Sequence, residues 1–481
     1  MSETPETHQP AANSASAAAD ADERPASFAL DTRPRTIPSA VSNWSGRVRT
    51  GNPGALPSML GIIVLAVIFF SVSHRFLGLN NLGNLPSQFA YTALMAIGLV
   101  FVLLLGEIDL SAGTAGGLCA GFAGQAILSG GLKAGVPGAL WWSMLVLMLV
   151  ALGTAVLIKL WSGAIVVAIG LILMLTGLTS HVIPALLFAV TAGTAIGILT
   201  GWLVAKVGIP SFVVTLALFL AWQGVLLFAI NSQSVPLVNF TFWYGLAHNN
   251  MSPLWSWVFT IVVCGGYLAY TLFRSVRLRG RGLTADSLSL VLVKGALVTV
   301  IGVVVTVAAN INRAPAGQIA QSGLPWAITV PIVLMIAATI VLTKTQWGRH
   351  LFAAGGNMEA ARRAGIDTER IKISAFTVCS SFAAIGGLFL ASQNNAANNG
   401  IGGGNTLLFA VAAAVIGGTS LFGGRGKPRD AILGGLVIAM IPNGLGLKPS
   451  LPAQWQTVIT GAVLLIAAGV DALSRRSSSR Q

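Results

Sequence analysis

From residue 57 onward the chain is a succession of apolar runs separated by short polar gaps, and that rhythm decides what it can fold into. The runs are about 17–25 residues long, the length a helix needs to cross hydrocarbon. A backbone in lipid must satisfy its own hydrogen bonds, so such runs are helices. With 54% hydrophobic and 9% charged residues, the chain carries too little charge for a soluble domain. Apolar segments are read at 57–77, 88–105, 112–130, 139–158, 162–180, 182–204, 211–230, 254–273, 288–309, 325–343, 372–391, 405–421, 430–447 and 453–471. The sequence therefore predicts an all-α, polytopic membrane helix bundle of about 14 spans, with 12 as the lower count. The weakest boundary is Ser180-His181. The 112–130 and 405–421 segments are rich in Gly and Ala; they are expected to be short or broken, and interior, because small residues let helices approach closely.

The formal net charge of +14 would suit a nucleic-acid binder, but its placement does not. Nearly all of it falls in alternate gaps. Arg33, Arg35, Arg47 and Arg49 precede the first span, which places the N-terminus in the cytoplasm. Alternation from there puts Lys159, Lys206, Arg274, Arg277, Arg279, Arg281, the 344–372 loop, Arg425, Lys427, Arg429, Arg475, Arg476 and Arg480 on the same side. Only Arg75, Lys133, Arg313 and Lys448 fall opposite, so both termini are expected inside. Residues 1–55 are rich in Ala, Ser, Pro and Glu without an apolar run; they are expected to be a disordered cytoplasmic tail with no signal peptide. The membrane-embedded body is taken as 56–473, followed by a basic cytoplasmic tail at 474–481. The two outer loops 231–253 and 392–404 are neutral, amide-rich and aromatic or Gly-rich; they are read either as ordinary solvated loops or as a surface suited to a polyhydroxylated solute or its carrier protein.

Intrinsic catalysis finds no support. GTSLFGGRGKP (418–428) has Leu421 and Pro428 where a phosphate loop needs Gly and Ser or Thr. The five histidines are scattered, and Cys119, Cys264 and Cys379 each sit inside an apolar run as small packed residues. No cofactor, metal or catalytic set is expected. Glu107 and Asp109, in LLLGEIDLSAG, are ionisable groups at a junction between spans. Asp109 or Ser111 is expected either to cap the third helix or to mark a break near a translocation path. Lys294 is close enough to the inner face to snorkel. No ladder of acids runs through the spans, as an ion-coupled carrier usually needs.

The 344–372 stretch is the one sizeable charged loop. Gly355-Gly356 is expected to break the chain, Asn357 to cap a helix, Glu359 to favour its first turn and Gly365 to end it. Met358, Ala361 and Ala364 recur at helical spacing, giving a small Ala-rich side that could slot into a partner's groove or lie on the lipid surface. A membrane protein with such a helix on its basic face is read as a transporter driven by a soluble partner.

Four stretches, GEIDLSAG (106–113), TGWLVAKVGIPSFVVTLA (200–217), GRHLFAAGGNMEAARRAGI (348–366) and AVIGGTSLFGGRG (414–426), together resemble the permease subunit of bacterial monosaccharide ABC importers of the ribose/xylose/galactose type. The length, the extra apolar segments and the RSVRLRGRG loop (274–282) are most similar to the D-xylose branch. The resemblance implies a non-catalytic multi-pass subunit of the bacterial plasma membrane. Its implied partners are a second permease copy, an extracytoplasmic sugar-binding protein, and an ABC ATPase that grips Gly355, Gly356, Asn357, Glu359, Ala360, Ala361, Arg362 and Gly365. The path implied for the sugar passes Glu107, Asp109, Ser111, Phe409, Gly417, Gly418 and Thr419. Relatives usually carry acids in a pattern like ELDAIAA before IGGTSL; here Leu407 and Phe409 replace them, which makes that helix more apolar. An ion-coupled secondary carrier, or a non-transporting membrane scaffold or receptor, is the alternative reading.

Overall fold

The computed structural model describes residues 56–448 except 284 and 315–319, together with isolated positions in 36–46 and 454–469. The N-terminal tail, the last apolar segment at 453–471 and the basic tail at 474–481 lie wholly or largely outside the described residues.

Every apolar segment read up to residue 447 is helical. The helices are α1 (Leu56–Val72), α2 (Leu79–Leu104), α3 (Ala112–Leu128), a single turn α4 (Leu132–Gly135), α5 (Gly138–Leu157), α6 (Trp161–Thr176), α7 (Val182–Trp202) and α8 (Ser211–Ala229). They continue as α9 (Thr241–His248), α10 (Pro253–Arg279), α11 (Leu288–Asn310), α12 (Trp326–Lys344), α13 (Gln346–Gly356), α14 (Met358–Arg363), α15 (Thr368–Gln393), α16 (Thr406–Ile416) and α17 (Pro428–Gly446). Among the described residues, eight helices are long and apolar enough to span a bilayer by themselves, and α6 and α16 are among the shorter apolar ones. The weak boundary at Ser180-His181 is real: a 3-10 turn, Leu178–Ser180, separates α6 from α7. The two Gly/Ala-rich segments behave differently. Both are interior, but α3 is continuous, whereas α16 stops after 11 residues at Gly417.

The centre of the bundle is α15, packed between α2, α3 and α7. Glycines bring the backbones of these helices together, and large side chains such as Met95, Phe101, Phe188 and Phe376 are fully buried around them. Along α7, Gly193, Gly197 and Gly201 recur every four residues and form one stripe against α15. A methyl group at Gly193 would stand 2.7 Å from the Ser380 carbonyl oxygen, one at Gly197 2.5 Å from that of Phe376, and one at Gly201 2.7 Å from the Cα of Ile373. On α2, Gly98 meets the Cys379 carbonyl in the same way, at 2.8 Å. Helices in hydrocarbon gain nothing by hiding apolar side chains from one another, so close backbone approach and dispersion must hold them together. The central windows of α2 and α15 are accordingly 83% and 78% buried, while those of α10 and α11 are only 17% and 22% buried.

The gaps sort into two ends. At the basic end, Lys206 pairs with Glu369, Lys372 Nζ lies 2.6 Å from Glu107 Oε1, and Gly424 N–H donates to the Leu104 carbonyl at 2.8 Å. At the opposite end the two neutral loops are tied together, which the sequence did not indicate. A two-residue antiparallel ladder pairs β1 (Val235–Pro236) with β2 (Ala396–Ala397), and Asn399 Nδ2 donates to the Ser232 carbonyl at 2.8 Å. Beneath it α9 is anchored by Trp243, fully buried, whose Nε1 donates to the Leu388 carbonyl at 2.9 Å.

The glycine stripe gives a stability prediction. Gly197→Leu must push α7 away from α15 and should cost about 1–3 kcal/mol or more. Gly224→Leu, on α8 where nothing lies within 4 Å, should be close to neutral. Reversible denaturation of both variants in mixed micelles checks the difference.

Candidate functional site

Two places in the bundle combine polar groups with shape. The first is a cavity of about 450 Å³ towards the neutral end, within the range of roughly 300–1,000 Å³ typical of small-molecule sites. Its polar wall comes from Asn81, Gln88, Tyr91 and Thr92 of α2, Gln393 of α15 and Asn443 of α17, and Phe409 of α16 adds an aromatic face. Asn81 and Asn443 form a reciprocal amide pair: Asn81 Nδ2 donates to Asn443 Oδ1 at 2.7 Å, and Asn443 Nδ2 to Asn81 Oδ1 at 2.9 Å. Asn81 Nδ2 also donates to the Phe76 carbonyl at 2.9 Å, which fixes the ring of bonds. Pro442, inside α17, lines the same cavity and has no N–H to give the Ile438 carbonyl beside it. Gln393 Oε1 is buried without a hydrogen-bond partner among the described residues. Amides with hydrogen-bonding capacity to spare, flanked by two aromatic rings, can bind hydroxyl groups and the apolar face of a small ring.

The second place is at the basic end, where the 344–372 stretch turns out not to be a loop. Three helices follow one another, each opened by a side-chain cap. Thr345 Oγ1 accepts from Gly348 N–H at 3.1 Å to start α13, Asn357 Oδ1 from Ala360 N–H at 2.9 Å to start α14, and Asp367 Oδ1 from Arg370 N–H at 2.9 Å to start α15. The expectation that Gly355-Gly356 breaks the chain is corrected: both close α13, and the break falls at Asn357 (φ −156°). Gly365 ends the surface helix in the left-handed region (φ +81°), with its N–H donating to the Arg362 carbonyl and that of Ile366 to Ala361. Glu359, in the first turn, pairs with Arg362 at 3.1 Å and Arg363 at 3.2 Å. The reading of an Ala-rich side open to a partner is also corrected. Ala361 is buried, with Met358 and Ile366 half-buried beside it, so this side anchors α14 to its own bundle. The outward side carries Glu359, Ala360, Arg362, Arg363, Ala364 and Gly365.

α13 ties that surface helix to the interior. Gly348, Leu351 and Ala354 form its buried face, and Trp347 Nε1 donates to Ser374 Oγ at 2.7 Å. Gly355 rests on the Leu104 carbonyl so closely that a Cβ would collide with it. The same carbonyl accepts from Gly424, and a Cβ on Gly423 would stand 2.9 Å from the Gly355 oxygen and 3.0 Å from the Gly106 nitrogen. Gly106, Gly423 and Gly424 all have φ between +73° and +87°, open to glycine at little cost. The ends of α2 and α13 and the turn after α16 thus meet backbone to backbone.

The other candidate residues belong to this basic end rather than to the cavity. Glu107 is held by Lys372. Asp109, fully buried, accepts from the Ser111 amide at 2.9 Å and the Ser111 hydroxyl at 2.7 Å, so the carboxylate organises the start of α3. Gly417 packs on the Asp430 carbonyl, Gly418 turns the chain (φ +111°), and Thr419 is buried against Gly426. Phe409 alone of the candidates faces the cavity. Of the cavity amides, Gln393 belongs to the amide-rich loop 392–404 singled out in the sequence, whereas Asn81, in the gap between the first two apolar runs, and Asn443, inside the 430–447 run, carry no signal there.

Residues 161–468 match the family described as the branched-chain amino acid transport system / permease component. The chain is 31% identical over 426 residues to the xylose transport system permease protein of Haemophilus influenzae, covering 87% of this chain and 96% of that protein. It is 29% identical to the xylose transport system permease protein of Escherichia coli, over 87% of this chain and 92% of that one. The ribose import permease protein of Escherichia coli is 26% identical over 86% and 92%. No solved structure matches. With its apolar helices, the chain is a multi-pass protein of the bacterial inner membrane and belongs to this permease-component family, as a membrane subunit that is not itself an enzyme.

Proposed function

We propose that the chain is the transmembrane subunit of an ATP-binding-cassette importer that carries D-xylose or a related monosaccharide. The observation that carries this reading is the likeness to a xylose permease over 96% of that protein's length. The geometry supports it at both ends. The cavity offers amides and aromatic faces, the chemistry that recognises a polyhydroxylated ring, and no charged group lines it. A soluble binding protein delivers the sugar at the neutral end, where the β1–β2 ladder joins the two amide-rich loops into one surface.

At the basic end, an ATPase subunit grips the outward side of α14. ATP binding and hydrolysis move α13 and α14 together. Through Gly355 that movement reaches Leu104 and the Gly423–Gly424 turn, and hence α2 and α16, two of the helices that wall the cavity. Two such subunits act as a pair. The permease then needs only to favour different access states as its partner changes state, not to hold the sugar tightly.

An ion-coupled carrier is disfavoured by where the carboxylates lie. Among the described residues, Glu107, Asp109, Asp286, Glu359, Asp367, Glu369 and Asp430 all belong to the basic end, leaving none along the helices for a cation to follow.

The assignment of α14 is tested by co-purification. Wild-type permease should capture an ATPase subunit from its own cells, and Glu359→Lys should lose it while inserting normally. The exposed pairs of Glu359 contribute only about 0.2–0.5 kcal/mol each, so a folding defect is not expected. Gly365→Pro, which forbids φ +81° and removes the N–H bonded to Arg362, should abolish sugar uptake at unchanged membrane abundance. Normal uptake by either variant would remove the coupling role.

A separate test addresses the cavity. Asn443→Leu leaves Asn81 without its amide partner and should lower sugar uptake by about tenfold, consistent with the 1–3 kcal/mol of an unmet buried hydrogen bond. ATPase capture should be unaffected.

A further inference from the structure

The α10–α11 hairpin has no part in either site, and its inner end is built in an unusual way. Its turn is ordered by one side of α10: Ser275 Oγ donates to the Asp286 carbonyl at 2.8 Å, and Arg279 Nη2 donates to the same oxygen at 2.7 Å. Asp286 is in turn neutralised by Lys294, 2.7 Å away. The other side of α10 carries Arg274 and Arg277, one helical turn apart, and Arg281 follows in the turn. All three are exposed, and none makes an ion pair or hydrogen bond through its side chain among the described residues. The acid nearest in sequence, Asp286, is already engaged, so these three charges have no counter-ion within the hairpin.

The surroundings identify what they meet. Phe273 and Val276, which alternate with the arginines, are 65% and 68% exposed, and Tyr270, a turn earlier, is 45% exposed with Lys344 Nζ 5.0 Å over its ring. Apolar and aromatic residues exposed this far along a span lie in the acyl and interfacial layers of a bilayer. α10 and α11 bury little against the rest of the chain, so their apolar flanks are left for the hydrocarbon that a spanning helix needs. The arginines one to three turns beyond Tyr270 therefore emerge among the head groups of the cytoplasmic leaflet.

We propose that Arg274, Arg277 and Arg281 form a docking surface for anionic phospholipid, held in place by the Ser275–Arg279–Asp286–Lys294 network. Guanidinium groups suit the phosphodiester because each can donate two parallel hydrogen bonds to its oxygens. The hairpin would then be held at its inner end by the bilayer, where its protein contacts are few. The inference stands on the hairpin alone and does not depend on the transported sugar.

The test is native mass spectrometry, or lipid analysis, of the full-length permease from nanodiscs containing phosphatidylcholine and phosphatidylglycerol. Wild type should be enriched in phosphatidylglycerol, and the enrichment should fall as salt is raised. Each Arg→Gln substitution should lower it roughly fivefold, and the triple variant should lose it; triple Arg→Lys should keep much of it. Lys133→Gln, at the opposite end, serves as the control. Enrichment unchanged in the triple Gln variant would overturn the proposal. So would an unchanged lipid preference accompanied by loss of the captured ATPase, since the surface would then be a protein contact. If the triple variant does not fold, the single variants and the salt dependence of wild type decide between the same two outcomes.

Discussion

The structure depends on one constraint: inside a bilayer, helices cohere only as closely as their backbones can approach. The α7 stripe of Gly193, Gly197 and Gly201 lets α15 lie against it at carbonyl distance, and Gly98 does the same from α2. Dispersion across such contacts replaces the solvent-driven burial that a soluble core would use. α10 and α11 pack on each other through Gly295 and Gly302 but present few glycines to the centre of the bundle, and they stay at its periphery. The same rule governs the inner end, where Gly355, Gly106, Gly423 and Gly424 bring three chain segments into direct backbone contact.

That inner junction explains how a small surface helix could act on a distant cavity. A contact made through side chains can absorb a shift by changing rotamers; a contact between carbonyls and Cα atoms cannot. A displacement of α14 would be passed by α13 to the end of α2, and α2 carries Asn81 and Tyr91 in the cavity wall. The reciprocal Asn81–Asn443 pair spans α2 and α17, so relative movement of these helices opens or closes a polar contact that hydroxyl groups could replace.

Much of this was legible in the sequence, for physical reasons that differ by element. Spans were readable because hydrocarbon thickness fixes their length, and the division of gaps into a basic and a neutral end because charge placement is asymmetric. Asn357 and Gly365 were readable as helix boundaries because capping and left-handed termination are local chemistry. Helix α13 was not: Gly355-Gly356 looks like a break, and only the nearness of Leu104, far away in sequence, explains glycine at 355. Likewise Ala361 could be placed on a face, but which side that face addressed required the packing. The cavity was the largest omission. Asn81, Gln393 and Asn443 come from three helices spread over most of the chain, and scattered amides carry no spacing signal until those helices meet. Conversely, the acids that drew notice, Glu107 and Asp109, serve the inner end, one as an ion pair and one at the start of α3.

The decisive experiment is sugar flux into proteoliposomes holding the permease, its ATPase subunit and its binding protein. An ATP-driven importer predicts that D-xylose or a closely related monosaccharide accumulates only when ATP reaches the ATPase side, with no response to an imposed proton or sodium gradient. Accumulation driven by an ion gradient with the permease alone would contradict it.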